Sequence, residues 1–368
     1  MINWEKLAKP NIMRIPAYIP GKPSEEVERE YGLTDVLKLA SNENVLGPSP
    51  KAMAAVTKKV GAISVYPDAD FTSLRQAIGM RYGFAPGQVI VGNGSDEIIR
   101  LVAESLLGPG DEAVICEPTF GEYIYAVNLV GAEPVVVRSQ HGQDLRAILA
   151  AVTDRTRVVF ICNPNNPTGT YIGKKELEAF LAALPEGVLV LYDAAYREYA
   201  EADDYPEGFD YVRRGAPILT TRTFSKIYGL AGLRIGYGIG PPDLISLLYR
   251  VKEPFNVNLL GQAAALDALD DGEHVRRSLE MNASGKKQIY RGIEALGLEY
   301  LPSQANFVLV DLHRDEKEIY QRLLHLGVIV RPAGFFGLPG RIRVTIGTSE
   351  QNQRFLSALA TALADASE

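Results

Sequence analysis

Thr221-Arg-Thr-Phe-Ser-Lys226, followed by Ile227-Tyr-Gly-Leu-Ala-Gly-Leu-Arg-Ile-Gly236, is the stretch on which the reading of this chain turns. An apolar run, Ala216-Pro-Ile-Leu-Thr220, leads into a hydroxyl-rich turn that ends in a single lysine. Gly229, Gly232 and Gly236 then space the return towards a second apolar segment. Burial at the end of a strand lowers an amine's pKa by desolvation, which is what a lysine needs to react with a carbonyl. A lone lysine on a loop is more often a solvated residue, because lysines are seldom buried. Its neighbours in the fold have to decide.

Working outward, short apolar runs alternate with helical periodicity from about 50 to 260. The runs are 88–91, 113–116, 134–137, 158–162, 188–192, 218–220 and 234–239. Helical patterns lie between them at 95–107, 120–130, 145–152 and 174–184. Strands without polar alternation, separated by helices, predict an α/β fold with a mostly parallel sheet covered on both faces. After Asn258 the pattern changes to helices at 260–269 and 273–296, then strands at 307–310, 328–330 and 342–346 among helices at 315–326 and 350–365. This predicts a large domain over 41–258. A smaller α+β domain over 259–368 is joined by a proline-punctuated arm, residues 1–40, with a short helix from Ser24.

Composition narrows the function classes. The 368 residues are 46% hydrophobic and 23% charged with a net charge of −7, which suits a globular chain with a large core. An acidic balance argues against a nucleic-acid surface. The two cysteines, Cys116 and Cys162, sit in apolar runs, so no disulfide framework is expected and a reducing cytoplasm is. No leader-like segment and no span of 18 apolar residues is found, so no membrane association is expected. The four histidines (His141, His274, His313, His325) have no metal-ligand spacing and read as solvated or structural; no metal is expected.

Ligands of open parallel sheets bind beyond the carboxyl ends of the strands. After Val91 comes Gly92-Asn-Gly-Ser-Asp96, opening a helix: a phosphate-type turn, or simply a helix capped by Ser95. After Cys162 comes Asn163-Pro-Asn-Asn-Pro-Thr-Gly169, where the prolines make a stiff turn but do not account for two central asparagines. After Tyr192 comes Asp193-Ala-Ala-Tyr196, an acid that needs a donor or cation if buried, with small residues behind it that leave room for something flat. A phosphate-type turn, an amide, an acid and a lysine thus end four of the runs.

These motifs resemble the fold-type I pyridoxal-phosphate aminotransferases, and within them the histidinol-phosphate aminotransferase branch. The resemblance runs through Pro16-Ala-Tyr-Ile-Pro-Gly-Lys22, Ser41-Asn-Glu-Asn44, Tyr66-Pro-Asp68, Gly92-Asn-Gly-Ser-Asp-Glu97 and Glu117-Pro-Thr-Phe120. It continues through Asn163–Gly169, Asp193-Ala-Ala-Tyr-Arg-Glu198, Ser225-Lys226 with Arg234, and Arg341-Ile-Arg-Val-Thr-Ile-Gly-Thr348. It implies a seven-stranded, mostly parallel sheet in the large domain and pyridoxal 5'-phosphate as cofactor. Lys226 is implied as the Schiff-base lysine and later acid–base, Asp193 as partner of the pyridine nitrogen, and Asn166 and Tyr196 as partners of the ring oxygen. Phe120 is implied as the stacking face. Gly94, Ser95, Asp96, Thr223, Ser225 and Arg234 would hold the phosphate, with Tyr66 reaching across from a second copy in a homodimer with shared sites. Arg343 matches the substrate-carboxylate arginine, Arg331 the one for the substrate phosphate, and Tyr18 and Asn42 line the pocket. The reaction implied is transamination between glutamate/2-oxoglutarate and histidinol phosphate/imidazole acetol phosphate, in histidine biosynthesis. An aromatic amino-acid aminotransferase and a threonine-phosphate decarboxylase share the cofactor motifs. The chain departs from the branch at Val45, where proline is usual, and Phe335-Phe336 stands in a variable loop beside Arg331.

Overall fold

Seven strands form the central sheet of the computed structural model, which describes residues 2–17, 21–140 and 142–364. Their order is Val89–Gly92, Gly236–Ile239, Ile218–Thr223, Leu189–Asp193, Thr156–Cys162, Glu112–Glu117 and Glu133–Arg138. All pairings are parallel except those of Gly236–Ile239, which runs antiparallel to both neighbours. The sheet agrees with the fold class read from the apolar runs. Successive residues of a strand face opposite ways, and the two faces carry separate cores. Val114, Cys116, Val159, Ile161, Val190 and Tyr192 pack on one side. Ala113, Ile115, Val158, Phe160, Leu189 and Leu191 pack on the other. Each large apolar side chain buried this way contributes about 1.5–3 kcal/mol, which is why these strands tolerate no polar alternation.

A second sheet is antiparallel, in the order Arg331–Pro332, Arg341–Thr345, Phe307–Asp311 and Glu299–Leu301. The helices Gly272–Ala295, Glu316–His325 and Ser349–Ala364 enclose it. Ile289, Ile293, Val308, Val310, Val344, Phe355 and Leu359 form its core. Leu37–Lys38 pairs in parallel with Val328–Ile329, tying the early chain to this part of the molecule.

Three helices of ten or more residues stand where the sequence reading assigned none: Pro50–Lys59, Thr72–Tyr82 and Pro242–Val251. The first had a start signal, since Ser49 caps it by accepting from the Ala52 N–H at 3.3 Å and Pro50 occupies its first turn. Two boundaries also need correction. The strand before Lys226 runs on to Thr223, because β-branched threonines suit a fully buried central strand. Arg234 is not in the next strand, which starts at Gly236; it follows the turn Ala231–Leu233 in the left-handed region, φ +53.

Candidate functional site

The side chains of Ile218–Thr223 alternate between two polar environments. Thr221 Oγ1 donates to Asp193 Oδ1 at 3.3 Å. Arg222, pointing the other way, is buried between Glu198 (3.0 Å) and Glu207 (2.7 Å). That paired guanidinium anchors the back of the strand, and the chain then turns to deliver Lys226. The Lys226 amine donates to the Ser41 carbonyl at 3.0 Å and lies 5.7 Å from the centre of the Tyr196 ring. Burial, with the Arg343 cation nearby, pulls its pKa down to about 8. A pKa nearer physiological pH leaves more of the amine neutral, the form that carbonyl chemistry requires.

The turn before Ser95–Leu106 is built to receive an anion. The N-cap is Gly94 at φ +82, not Ser95 as the sequence suggested, and no side chain caps this end. The free N–H groups and the helix dipole are left for a ligand. Gly236 must be glycine here, since a Cβ would stand 2.6 Å from the Ser95 nitrogen. Arg234 closes the turn: its Nη2 bonds Asp96 Oδ2 at 2.8 Å and lies 3.1 Å from where a Gly94 Cβ would stand. Thr223 and Ser225 are buried, with the Ser225 N–H donating to Thr223 Oγ1 at 3.1 Å.

Asp193 ends the neighbouring strand and pairs in register with Thr221 and Cys162. Its hydrogen-bond donors are neutral: Tyr123 OH at 2.7 Å, the Ala195 N–H at 3.2 Å and Thr221 Oγ1. Burial raises its pKa to about 6, with the Tyr123 bond opposing the rise. Such a carboxylate calls for a cation from a ligand. Tyr123 escaped the sequence reading, although it stands one helical turn after Phe120, which it meets edge to face at 5.7 Å.

The two asparagines of Asn163–Gly169 divide the work. Asn165 is structural, bonding the Pro118 carbonyl, Thr119 and Thr168, each at 2.9 Å. Asn166 faces the second sheet, where its Oδ1 accepts from Arg343. Arg343 Nη2 also donates to the Ala40 carbonyl at 2.6 Å. Asn42 donates to Tyr196 OH at 3.0 Å, and its own N–H donates to Thr345 Oγ1 at 3.0 Å. Burial raises the Tyr196 phenol to about 12, so it stays protonated. Arg331 is the register partner of Arg343 on the adjacent strand, so both guanidiniums project from one face of the small sheet.

Lys226, Tyr196, Asn42, Arg343, Asn166 and Arg331 are therefore linked by direct contacts or strand register, and Asp193 joins through the parallel sheet. Tyr66 stands apart: it is 78% exposed and its ring stacks on Phe255 at 4.6 Å. Tyr18 and His141 lie outside the described residues. His274 is buried rather than solvated, 3.4 Å from Asn44, whose amide also donates to the Ile227 carbonyl at 2.8 Å. Asn44 thereby braces the residue after Lys226, a contact that spacing along the chain could not reveal. Among the described residues no cluster could hold a metal ion, and no helix is long and apolar enough to cross a membrane.

An uncapped helix end, a buried acid lacking a cation and an amine with lowered pKa together fit a flat, phosphorylated, aldehyde-bearing pyridine. The family model for aminotransferase class I and II matches residues 34–359. The chain is 50% identical to histidinol-phosphate aminotransferase of Moorella thermoacetica, covering 96% of this chain and 92% of that one. It is 47% identical to histidinol-phosphate aminotransferase 2 of Pseudomonas aeruginosa, over 99% of this chain and 100% of the relative. Its fold matches the crystal structure of histidinol-phosphate aminotransferase from Sinorhizobium meliloti in complex with pyridoxal-5'-phosphate, with TM-score 0.89, 28% identity and 98% coverage of both chains. The chain belongs to the class I and II aminotransferases, in the histidinol-phosphate aminotransferase branch of the fold-type I pyridoxal-phosphate enzymes.

Proposed function

We propose that the protein transfers the amino group between glutamate/2-oxoglutarate and histidinol phosphate/imidazole acetol phosphate, in histidine biosynthesis. The observation that carries this reading is the pair Arg331 and Arg343, in register on one face, with the Arg343 cation near enough to act on the Lys226 amine. One substrate ends in a phosphate and the other in two carboxylates, and guanidinium suits both anions. Relatives at 45–50% identity over nearly the whole chain bear the same name.

When bound, pyridoxal phosphate supplies the aldehyde carbon that takes the amino group and a ring that spreads the charge left at Cα. Gly94, Ser95 and Asp96 would hold its phosphate through N–H groups, with Thr223, Ser225 and Arg234 adding side-chain contacts. Asp193 would hold the proton on the pyridine nitrogen, supported by Tyr123. Asn166 and Tyr196 would bond the ring's oxygen, and Phe120 and Ala195 would confine the ring between them. Lys226 Nζ would hold the cofactor through its amine and, when free, would move the proton at the substrate's Cα. Arg343 orients the carboxylate and Arg331 the phosphate, with Asn42 lining the pocket.

The chain is further proposed to act in the cytoplasm as a homodimer, with 41–258 as its large domain and 1–40 plus 259–368 as arm and small domain. Tyr66 and Phe255 support the dimer: two stacked aromatics exposed by 78% and 40% form a surface suited to a second copy. In that assembly Tyr66 reaches the phosphate in the neighbouring subunit. The test compares turnover of histidinol phosphate, phenylalanine and threonine phosphate with 2-oxoglutarate present. Histidinol phosphate is expected to be fastest. Faster turnover of phenylalanine, or carbon dioxide release from threonine phosphate, overturns the assignment.

A further inference from the structure

The turn Gly334–Phe336 has no part in the chemistry described above, yet it sets one phenylalanine against each arginine. Arg331 Cζ lies 4.5 Å from the centre of the Phe335 ring. Arg343 Cζ lies 5.4 Å from Phe336 and 5.3 Å from Phe307. The adjacent rings meet edge to face at 5.9 Å and 87°. Their environments differ. Phe336 packs on the small core of Leu309, Ala333 and Leu338, which accounts for its being apolar. Phe335 is 53% exposed, so core packing does not explain an aromatic there.

The turn beneath is braced by hydrogen bonds. Buried Glu316 accepts from the Gly340 N–H at 2.6 Å, and its other oxygen stands 2.1 Å from where a Gly334 Cβ would be. The Phe336 and Leu338 N–H groups both donate to the Ala333 carbonyl, at 2.9 and 3.1 Å. A ring fixed on such a turn can restrict the rotamers of a long cation above it. Orientation set before binding lowers the entropy lost on binding.

We propose that Phe335 is a specificity-determining positioning residue: its exposed ring holds the Arg331 guanidinium ready for the anionic end of the phosphorylated substrate. Arg343 is held by different contacts, Phe307, Phe336, Asn166 and the Ala40 carbonyl, so a change at Phe335 acts first on the Arg331 site. The inference rests on the histidinol-phosphate reading of the site.

The test uses the purified, cofactor-loaded enzyme and three proteins: wild type, Phe335→Leu and Phe335→Tyr. Leucine keeps apolar bulk without a π face, whereas tyrosine keeps the face. From the strength of exposed cation–π contacts, Phe335→Leu is expected to raise KM for histidinol phosphate about two- to fivefold. KM for glutamate and kcat stay near wild type, and Phe335→Tyr restores the wild-type KM. Thermal melting of all three checks that each is folded. Unchanged KM in Phe335→Leu, or equal rises for both substrates, overturns the inference while leaving the assigned reaction intact. Wild-type enzyme that turns over no histidinol phosphate overturns both.

Discussion

Replacing Asp193 with asparagine should stabilise the cofactor-free protein while weakening its hold on the cofactor. Without a pyridine cation the buried carboxylate has neutral donors around it, and its pKa rises from 3.8 to about 6. The sign follows from linkage: folding favours the protonated acid, so stability is highest below about 4 and falls as pH climbs through 6. About two pKa units correspond to roughly 3 kcal/mol, lost in full above the folded-state pKa. Asparagine removes the charge and keeps the shape. Its oxygen can accept from the Ala195 N–H and Thr221, and its amide can donate to the Tyr123 oxygen, so most partners survive. Allowing for imperfect bonds, the variant should gain about 1–3 kcal/mol at pH 8 and almost nothing at pH 4. Thermal melts of stripped wild type and Asp193→Asn across that range measure the difference. With cofactor present the order should reverse, because the ring cation loses its counter-charge. A pH-independent gap between the stripped proteins, or a less stable variant at pH 8, would refute the reasoning.

Four other outcomes follow from the same geometry. In stripped protein, labelling of Lys226 by an amine reagent should rise through about pH 8 rather than 10.5, and Lys226→Ala should abolish transamination; a midpoint above 10 counts against the lowered pKa. Arg331→Ala should raise KM for histidinol phosphate roughly 10- to 100-fold, the worth of charge-assisted hydrogen bonds, and glutamate's far less; equal losses would make Arg331 structural. Tyr123→Phe strips a donor from a buried acid, costing about 1–3 kcal/mol, and should move the loss of stability with rising pH that Asp193 sets to higher pH; unaltered melts would show that the hydroxyl does not matter. If Tyr66 completes a neighbour's site, mixing inactive Lys226→Ala with a crippled Tyr66→Ala should regain activity through mixed dimers, whereas additive residual rates would speak for self-contained subunits.

The central sheet was legible because buried parallel strands must be apolar on both faces, and the runs ending at Val91, Cys162 and Tyr192 say so without context. Asp193 drew notice for a related reason, since charge at the end of an apolar strand needs a partner, whereas Lys226 alone read as a loop lysine until the other strand ends were weighed with it. Helix Thr72–Tyr82 was not, because its buried Leu74, Ile78 and Gly79 mark no strong apolar stripe. Nor was the pairing of Arg331 with Arg343, since antiparallel register joins residues twelve apart that sequence treats as unrelated. Tyr123 and Asn44 act through partners 70 and 183 residues away, on Asp193 and Ile227. Only folding brings such pairs together.

The grip of Arg343 on Asn166 and the Ala40 carbonyl has a consequence for how tightly any substrate can be held. If Arg343 takes a substrate carboxylate as proposed, the anion meets a cation that is already desolvated and aimed. Two of its five N–H groups are committed to Asn166 and Ala40, and those bonds fix the plane of the guanidinium. Little orientation is then left to be lost on binding, and the same plane is offered to either substrate.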